Sequence, residues 1–355
     1  MAAQWDPTNL PIRPGMYINF KEAAIAQING GERGIVAMPL FTYTGGTATA
    51  KQFYTVENET DATKLFGSAN VQPIRFVLQA GAAEVLVYTM PATPADADYT
   101  EMREAFEARP FNVFVYPDGA TDAQEDNTLA WCQTNREEGK HFAVVFGGDT
   151  ETDQDPVLGN ARTVRLDDDY SVNVIVGVTV SETNYTSGQY APYIAGLIAG
   201  KQINESITYS SLPVNDVTKR LRNSEIKTAL QAGSLVLSHD GEKVKVEQGL
   251  TTSGKKIRSI RARQAISTDL SKVARDSYIG QLSNNEAGQT SLIAAITAYL
   301  ETLEAEDVVI LPDSEDENPA VMLDPNRESV GDSVFLLINY TEVDSMERIF
   351  IDIQL

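Results

Sequence analysis

Cysteine is nearly absent from these 355 residues, with Cys132 standing alone. One thiol excludes an internal disulfide framework and fits a reducing compartment. Histidine is almost as scarce, at His141 and His239, so a zinc site lacks its ligands. Positive charge is short as well: 28 Lys+Arg stand against 50 Asp+Glu, a net of −22, with a pI near 4.4. Phosphate backbones are held by clustered cations, so no nucleic acid partner is expected. Anionic membranes are disfavoured for the same reason. No apolar run approaches the ~18 residues of a membrane span, so no membrane insertion is expected. The opening Met1-Ala2-Ala3-Gln4-Trp5-Asp6 also lacks the basic and apolar regions of a signal peptide. Synthesis and folding in cytoplasm follow as the expectation.

What is present is a globular composition, 42% hydrophobic and 22% charged, with length for two or three domains. The first residues, to about Pro14, are Pro-rich and irregular, reading as an arm. Gly34–Tyr43 and Lys51–Val56 read as strands separated by Gly45-Gly46. Ile74, Val77 and Leu78 predict a helix closed by Gly81. Strands Glu84–Met90, Phe111–Tyr116 and His141–Phe146 then alternate with helices near Tyr99–Glu107 and Thr121–Glu138. After an acidic loop come strand Val172–Val180 and helix Gln189–Ala199. This alternation predicts a parallel sheet covered on both faces. Leu235–Ser238 and Lys243–Gln248 flank Asp240-Gly241, a hairpin signal. Helices near Ala265–Tyr278 and Thr290–Leu303 precede the final strands.

Parallel sheets bind ligands where their strands end, so an enzyme must be tested for. Tyr116-Pro117-Asp118-Gly119, Phe146-Gly147-Gly148-Asp149 and Val176-Gly177 sit at such ends, but Gly and Asp there are ordinary turn chemistry. Gly196-Leu197-Ile198-Ala199-Gly200-Lys201-Gln202 fails as a phosphate loop. Its spacing is one residue short, Gln202 replaces the hydroxyl, and it ends a helix rather than opening one. Its small residues suit close helix packing, with Gly200 as a cap. Ser238-His239-Asp240 cannot form a relay, because adjacent strand residues face opposite ways and lead into a tight turn. No Gly-x-Ser-x-Gly elbow occurs. Asp149–Asp155 lacks the glycine and terminal glutamate of a calcium loop and reads as a hydrated acidic loop. No catalytic, cofactor or metal residues are assigned.

Charge is segregated in the last third. Lys255, Lys256, Arg258, Arg261, Arg263, Lys272 and Arg275 face only Asp269 within Lys255–Arg275, a net of +6, leaving −28 on the rest. Residues Glu304–Glu328 hold nine acids and one base, Arg327. Solvated faces explain such blocks, and so does complementarity between subunits or toward a second protein. The terminus is patterned differently. After Gly331-Asp332 and the apolar run Val334–Ile338, the chain turns through Thr341–Ser345. Ile349, Ile351, Ile353 and Leu355 then alternate with Arg348, Phe350, Asp352 and Gln354. That is the period of a strand, running to the last residue with an edge that needs a partner.

Asp332-Ser333 opening a strand, then Val343-Asp344-Ser345-Met346-Glu347-Arg348-Ile349, resembles the C-terminus of contractile tail sheath proteins. These occur in myophages, phage-like particles and R-type bacteriocins. Arg13-Pro14-Gly15-Met16-Tyr17-Ile18-Asn19-Phe20 resembles that family's opening strand. Ala195–Gly200 with Asn204–Tyr209, Leu230–Leu237, and Tyr278-Ile279-Gly280 with Asn284-Asn285 are similar to further signatures. The matches run in order over nearly the whole chain.

The resemblance implies an α/β and α+β multidomain architecture. It has a small β-rich domain near the N-terminus (31–92) and a subtilisin-like α/β domain without catalytic residues (93–249). A C-terminal sheath domain (250–355) takes up the N-terminal arm and strand (1–30) and has exchanged terminal strands. It implies a subunit that stacks in hexameric rings around a rigid tail tube and contracts to drive the tube through the target envelope. Partners would be itself, the tube protein, and the baseplate and tail-terminator proteins, in a virion or phage-like tail assembled in the bacterial cytoplasm. Inter-subunit strand exchange is expected at Met16, Tyr17, Ile18, Asn19, Phe20, Ile349, Ile351, Ile353 and Leu355. The basic residues of Lys255–Arg275 are the expected tube contact. An α/β hydrolase and a cytosolic binding module are the alternative readings.

Overall fold

The computed structural model describes residues 34–313 and 319–354. They fall into two units: 34–265 with 344–354, and 266–313 with 319–343. The first is built on a nine-stranded sheet of order β2-β3-β1-β4-β5-β6-β11-β12-β9. Its centre is formed by β1 (Ile35–Leu40), β3 (Glu84–Thr89), β4 (Val113–Val115), β5 (Ala143–Gly147), β6 (Ser171–Ile175) and β11 (Leu235–His239). Every pairing among these six is parallel. Antiparallel strands β2 (Phe53–Val56), β12 (Val244–Val246) and β9 (Ser211–Leu212) finish the two edges.

The central strands are apolar along nearly their whole length because both faces are covered. Val36, Met38, Val85, Val87, Val145 and Val174 enter one core. There they meet α1 (Glu59–Phe66), α2 (Gln72–Gln79), α7 (Ser187–Gly200) and α8 (Asn223–Ala232). Ala37, Leu86, Tyr88, Phe114, Val144 and Phe146 enter the other, against α3 (Asp96–Glu107) and α4 (Asp122–Glu137). This second core is aromatic: Phe106 meets Phe53, Phe111 and Phe114 edge-on. The alternating strands and helices read from the sequence are therefore present as a doubly wound sheet.

Two expectations need correction here. A separate β-rich domain over 31–92 does not form, since β1 lies between β3 and β4 in the main sheet. The runs IVAMPL and EVLVYT bury both faces, which an interior position in a parallel sheet satisfies and a small two-sided sheet does not. The single strand over Val172–Val180 is broken instead. Val176 takes a positive φ of 71°, and β7 (Val178–Val180) leaves for a three-stranded sheet with β8 (Thr183–Tyr185) and β10 (Asp216–Val217).

The small residues of α7 do serve close packing. A Cβ on Gly196 would stand 2.3 Å from the Val77 carbonyl of α2, and one on Gly200 as near to Gly81. Gly200 is the last helical residue and Lys201 the cap. Its glycine is required by that approach, not by a left-handed cap.

The second unit holds the later part of α9 (Ile257–Ser277), together with α10 (Glu286–Ala305). Asn285 caps α10 by accepting from the Gly288 amide at 2.9 Å. Buried Asp269 accepts from the Tyr299 hydroxyl at 2.7 Å, joining the two helices. Two antiparallel pairs complete the unit: β13 (Val309–Ile310) with β16 (Thr341–Glu342), and β14 (Val321–Leu323) with β15 (Leu336–Ile338). The apolar run Val334–Ile338 thus supplies a strand. Thr341–Glu342, expected in a turn, pairs with β13.

Candidate interaction surfaces

Two of the three suspected strand ends, at Pro117–Gly119 and Gly147–Asp149 but not Val176-Gly177, line an open cleft of about 850 Å³. It is lined by Asp118, Gly147, Gly148, Asp149, Arg162 and Gln189, among others. Its glycines answer to backbone packing. A Cβ on Gly147 would lie 2.3 Å from the Ser187 carbonyl, and one on Gly188 2.8 Å from that of Gly148. Ser187 is fully buried at the start of α7 and accepts from the Gly148 amide at 2.6 Å. Neither histidine is near a relay. His141 Nδ1 lies 3.1 Å from the Tyr170 hydroxyl, and burial lowers its pKa. His239 Nδ1 accepts from the Gly241 amide, Asp240 closes the same turn, and Ser238 donates to Glu247. Among the described residues no group of His, Cys, Asp and Glu could hold a metal ion, and no helix is long and apolar enough to cross a membrane.

The acidic loop expected at Asp149–Asp155 is instead α5 (Thr150–Gln154), with Asp149 accepting from the Thr152 amide as its cap. Asp153 is buried within it and accepts from the Ser187 amide at 2.6 Å. Burial pushes its carboxyl up to about 6, against hydrogen bonding to Ser187 and the charge of Arg162. Arg162, on α6 (Pro156–Arg165), is the buried cation of this region. It donates to Asn173 Oδ1 at 2.7 Å and to the Val174 carbonyl at 3.2 Å. Burial also pushes Glu125 up to about 7, opposed by Arg162 and Arg165. These charges are spent on holding α4, α5 and α6 around the sheet.

The C-terminal segment is the opposite in character. Residues 343–354 form no helix, strand or turn among the described residues. Ile349, Phe350, Ile351 and Ile353 are 70%, 91%, 75% and 81% exposed. The Glu347 side chain, by contrast, is 9% exposed. It accepts from Thr208 Oγ1 and Gln248 Nε2, each at 2.7 Å, and pairs with Lys256. Burial lowers the Lys256 ammonium, with Asp344 opposing and Arg348 adding to the effect.

The basic stretch does not act as one patch. Lys255 pairs with Asp169 at 2.6 Å. Arg258 is buried, and Arg261 donates to the carbonyls of Lys201 and Gln202 just beyond α7. Arg263 is half-buried. Lys272 and Arg275 remain at the solvent side of α9, where Lys272 pairs with Asp276 at 3.1 Å and Arg275 bonds the Ser271 carbonyl of its own helix. The block of +6 is thus largely internal wiring.

Residues 92–252 match the phage tail sheath protein central domain, and residues 251–355 the phage tail sheath C-terminal domain. The chain belongs to the phage tail sheath family. The tail sheath protein of Clostridium phage phiCD119 is similar at 24% identity, covering 95% of this chain and 98% of that protein. The sheath tail protein of Desulfitobacterium hafniense has the same fold, with a TM-score of 0.75 at 20% identity over 97% of this chain and 99% of that one. The helical sheath of the anti-feeding prophage in its contracted state matches with a TM-score of 0.66 at 14% identity, over 91% and 93% of the two chains. A sheath subunit is a structural component of a tail, which suits a cleft without a catalytic constellation.

For this sheath subunit, the expected exchange residues Met16, Tyr17, Ile18, Asn19, Phe20 and Leu355 lie outside the described residues, as does the arm before them. Ile349, Ile351 and Ile353 lie within them. Sequence reasoning missed Arg162 and Glu347. Glu347 stood inside the Val343–Ile349 motif, where the alternating isoleucines took the attention.

Proposed function

We propose that this sheath subunit polymerises in stacked hexameric rings around a rigid tail tube and contracts to drive the tube through a target envelope. The observation that carries the reading is the exposed alternating segment Met346–Gln354, which has strand patterning and no strand partner among the described residues. Unpaired N–H and C=O groups beside exposed isoleucines are completed by an edge on a neighbouring subunit. The relative in the anti-feeding prophage is a contracted helical sheath, and that arrangement is carried here as a proposal. No nucleotide is called for: a small free-energy difference between extended and contracted packings becomes large over a cooperative array. The C-terminal sheath domain takes strands from both chain ends. Baseplate and terminator proteins cap the array, in a tail assembled in the bacterial cytoplasm.

Purified full-length protein, alone and with its tube protein, should give tubes or stacked rings by negative-stain microscopy. Monodisperse particles under every condition would return the choice to a binding module or an α/β hydrolase.

The tube contact is assigned to Lys272 and Arg275, the pair of the basic stretch left at the solvent side of the second unit's helix. Reversible electrostatics suits a surface that must grip before firing and move afterwards. Lys272→Glu with Arg275→Glu should weaken sheath–tube association several-fold at low salt, and less at high salt. The monomer's thermal midpoint should hold, because the exposed Lys272–Asp276 pair is worth about 0–1 kcal/mol and exposed Arg275 bonds only the Ser271 carbonyl of its own helix. Tube-filled sheaths at the parent yield would leave these cations only their bonds along α9.

A further inference from the structure

Three donors from three separate segments of the α/β unit meet on one carboxylate. Thr208 Oγ1 comes from the loop after α7, Gln248 Nε2 from the loop after β12, and Lys256 Nζ from the approach to α9. Thr208 Oγ1 is itself held, accepting from the Gly249 amide at 3.0 Å. Ser345 adds a bond from within the terminal segment at 3.2 Å. On either side of Glu347 the chain is open: Met346 is 84% exposed, and every described residue from Arg348 onward is exposed. Bonds to a charged acceptor are the strong ones, and three of them fix a side chain's position as well as its charge.

We infer that Glu347 is the positioning residue of the C-terminal arm, fixing the point and heading at which residues 348–354 leave the α/β unit for a second copy of this chain. This rests on the strand-pairing role proposed above. Upstream, the Val343 amide is held by the Val308 carbonyl at 3.1 Å. Without the Glu347 clamp the free tether would therefore start at residue 344 instead of 348. Effective concentration falls with about the −3/2 power of tether length, so lengthening alone costs roughly twofold. Loss of heading adds to this, since ~3.3 Å per residue lets the arm's tip sweep a wide volume.

The test compares the critical concentration for sheath assembly in the full chain, Glu347→Ala, Glu347→Gln, the swap Glu347→Lys with Lys256→Glu, and a chain ending at Glu347. Glu347→Ala should raise the critical concentration at least about twofold with an unchanged thermal midpoint. Glu347→Gln, which keeps the acceptor for Thr208, should fall between it and the parent. The swap restores the ion pair with residue 256 but not the acceptor for Thr208 and Gln248, so it should recover part of the loss, which a general packing defect would not allow. If the truncated chain cannot assemble while Glu347→Ala assembles like the parent, the clamp is refuted and strand pairing stands. If the truncated chain assembles normally, strand pairing itself is refuted. An assembly defect in Glu347→Ala that tracks a lowered midpoint and resists the swap also overturns the clamp.

Discussion

Subunits ending at Glu347 are expected to fold as stable monomers and to build no sheath. The argument rests on the contrast between what the arm contributes to its own chain and what it offers a neighbour. Ile349, Phe350, Ile351 and Ile353 are at least 70% exposed, so their removal takes little buried apolar area from the monomer. Exposed substitutions of this kind usually stay within about 0.5 kcal/mol. In an assembly the same residues would bring a strand's worth of main-chain hydrogen bonds and one apolar face. A gentler variant separates backbone pairing from side-chain burial. Ile351→Pro removes one N–H and bars the segment from the middle of a ladder, yet residue 351 forms no strand within its own chain. It should assemble almost as poorly as the truncation. Replacing the exposed charges Arg348 and Asp352 with alanine should matter far less. Light scattering and negative-stain microscopy on each variant decide it, and ordinary tubes from the truncation would end the strand-pairing reading.

The parallel sheet was legible because its strands are short apolar runs separated by helical periodicity, a pattern that few other architectures produce. The hairpin at Asp240-Gly241 was legible for a similar local reason: β11 and β12 pair around it, with Asp240 Oδ1 taking the turn amides of Glu242 and Lys243. Helix α6 was not, because its pattern is inverted. It buries Gly159, Arg162 and Thr163 and leaves Val157 and Val164 exposed, so hydrophobic periodicity points to the wrong face. The membership of β1–β3 in the main sheet depends on long-range pairing, which local pattern does not record. Charge counting misled in the basic stretch, since a count treats Arg261 at the Lys201 and Gln202 carbonyls the same as Lys272 at the surface. Glu347 could have been singled out as an acid at the start of a strand-like segment beside Arg348, but its partners lie 91 to 139 residues away.

Arg162→Met is expected to be the most damaging single substitution in the α/β unit. The guanidinium stands among buried carboxylates: Asp153 is 3% exposed and Glu125 1%. It also supplies the bonds to Asn173 Oδ1 and the Val174 carbonyl on β6. Methionine fills much of the volume but removes that donor from both acceptors and the Arg162 charge from beside both carboxylates. Removing one partner from a buried charge cluster costs about 3–5 kcal/mol. Glu125 keeps its bond to Arg165, so Asp153 should bear most of the change. The loss should depend on pH in a stated direction. Burial raises the folded carboxyls, Asp153 to about 6 and Glu125 to about 7, from 3.8 and 4.5. A carboxyl raised on folding takes up a proton between its unfolded and folded values, so stability falls as pH rises through that window. Arg162 lowers both groups, so its removal raises them further and steepens the fall. Urea unfolding followed by the fluorescence of buried Trp131 should show a larger deficit for the variant at pH 8 than at pH 5. An equal deficit at both would assign the loss to packing and to the Asn173 and Val174 bonds, leaving the charge cluster no part in it.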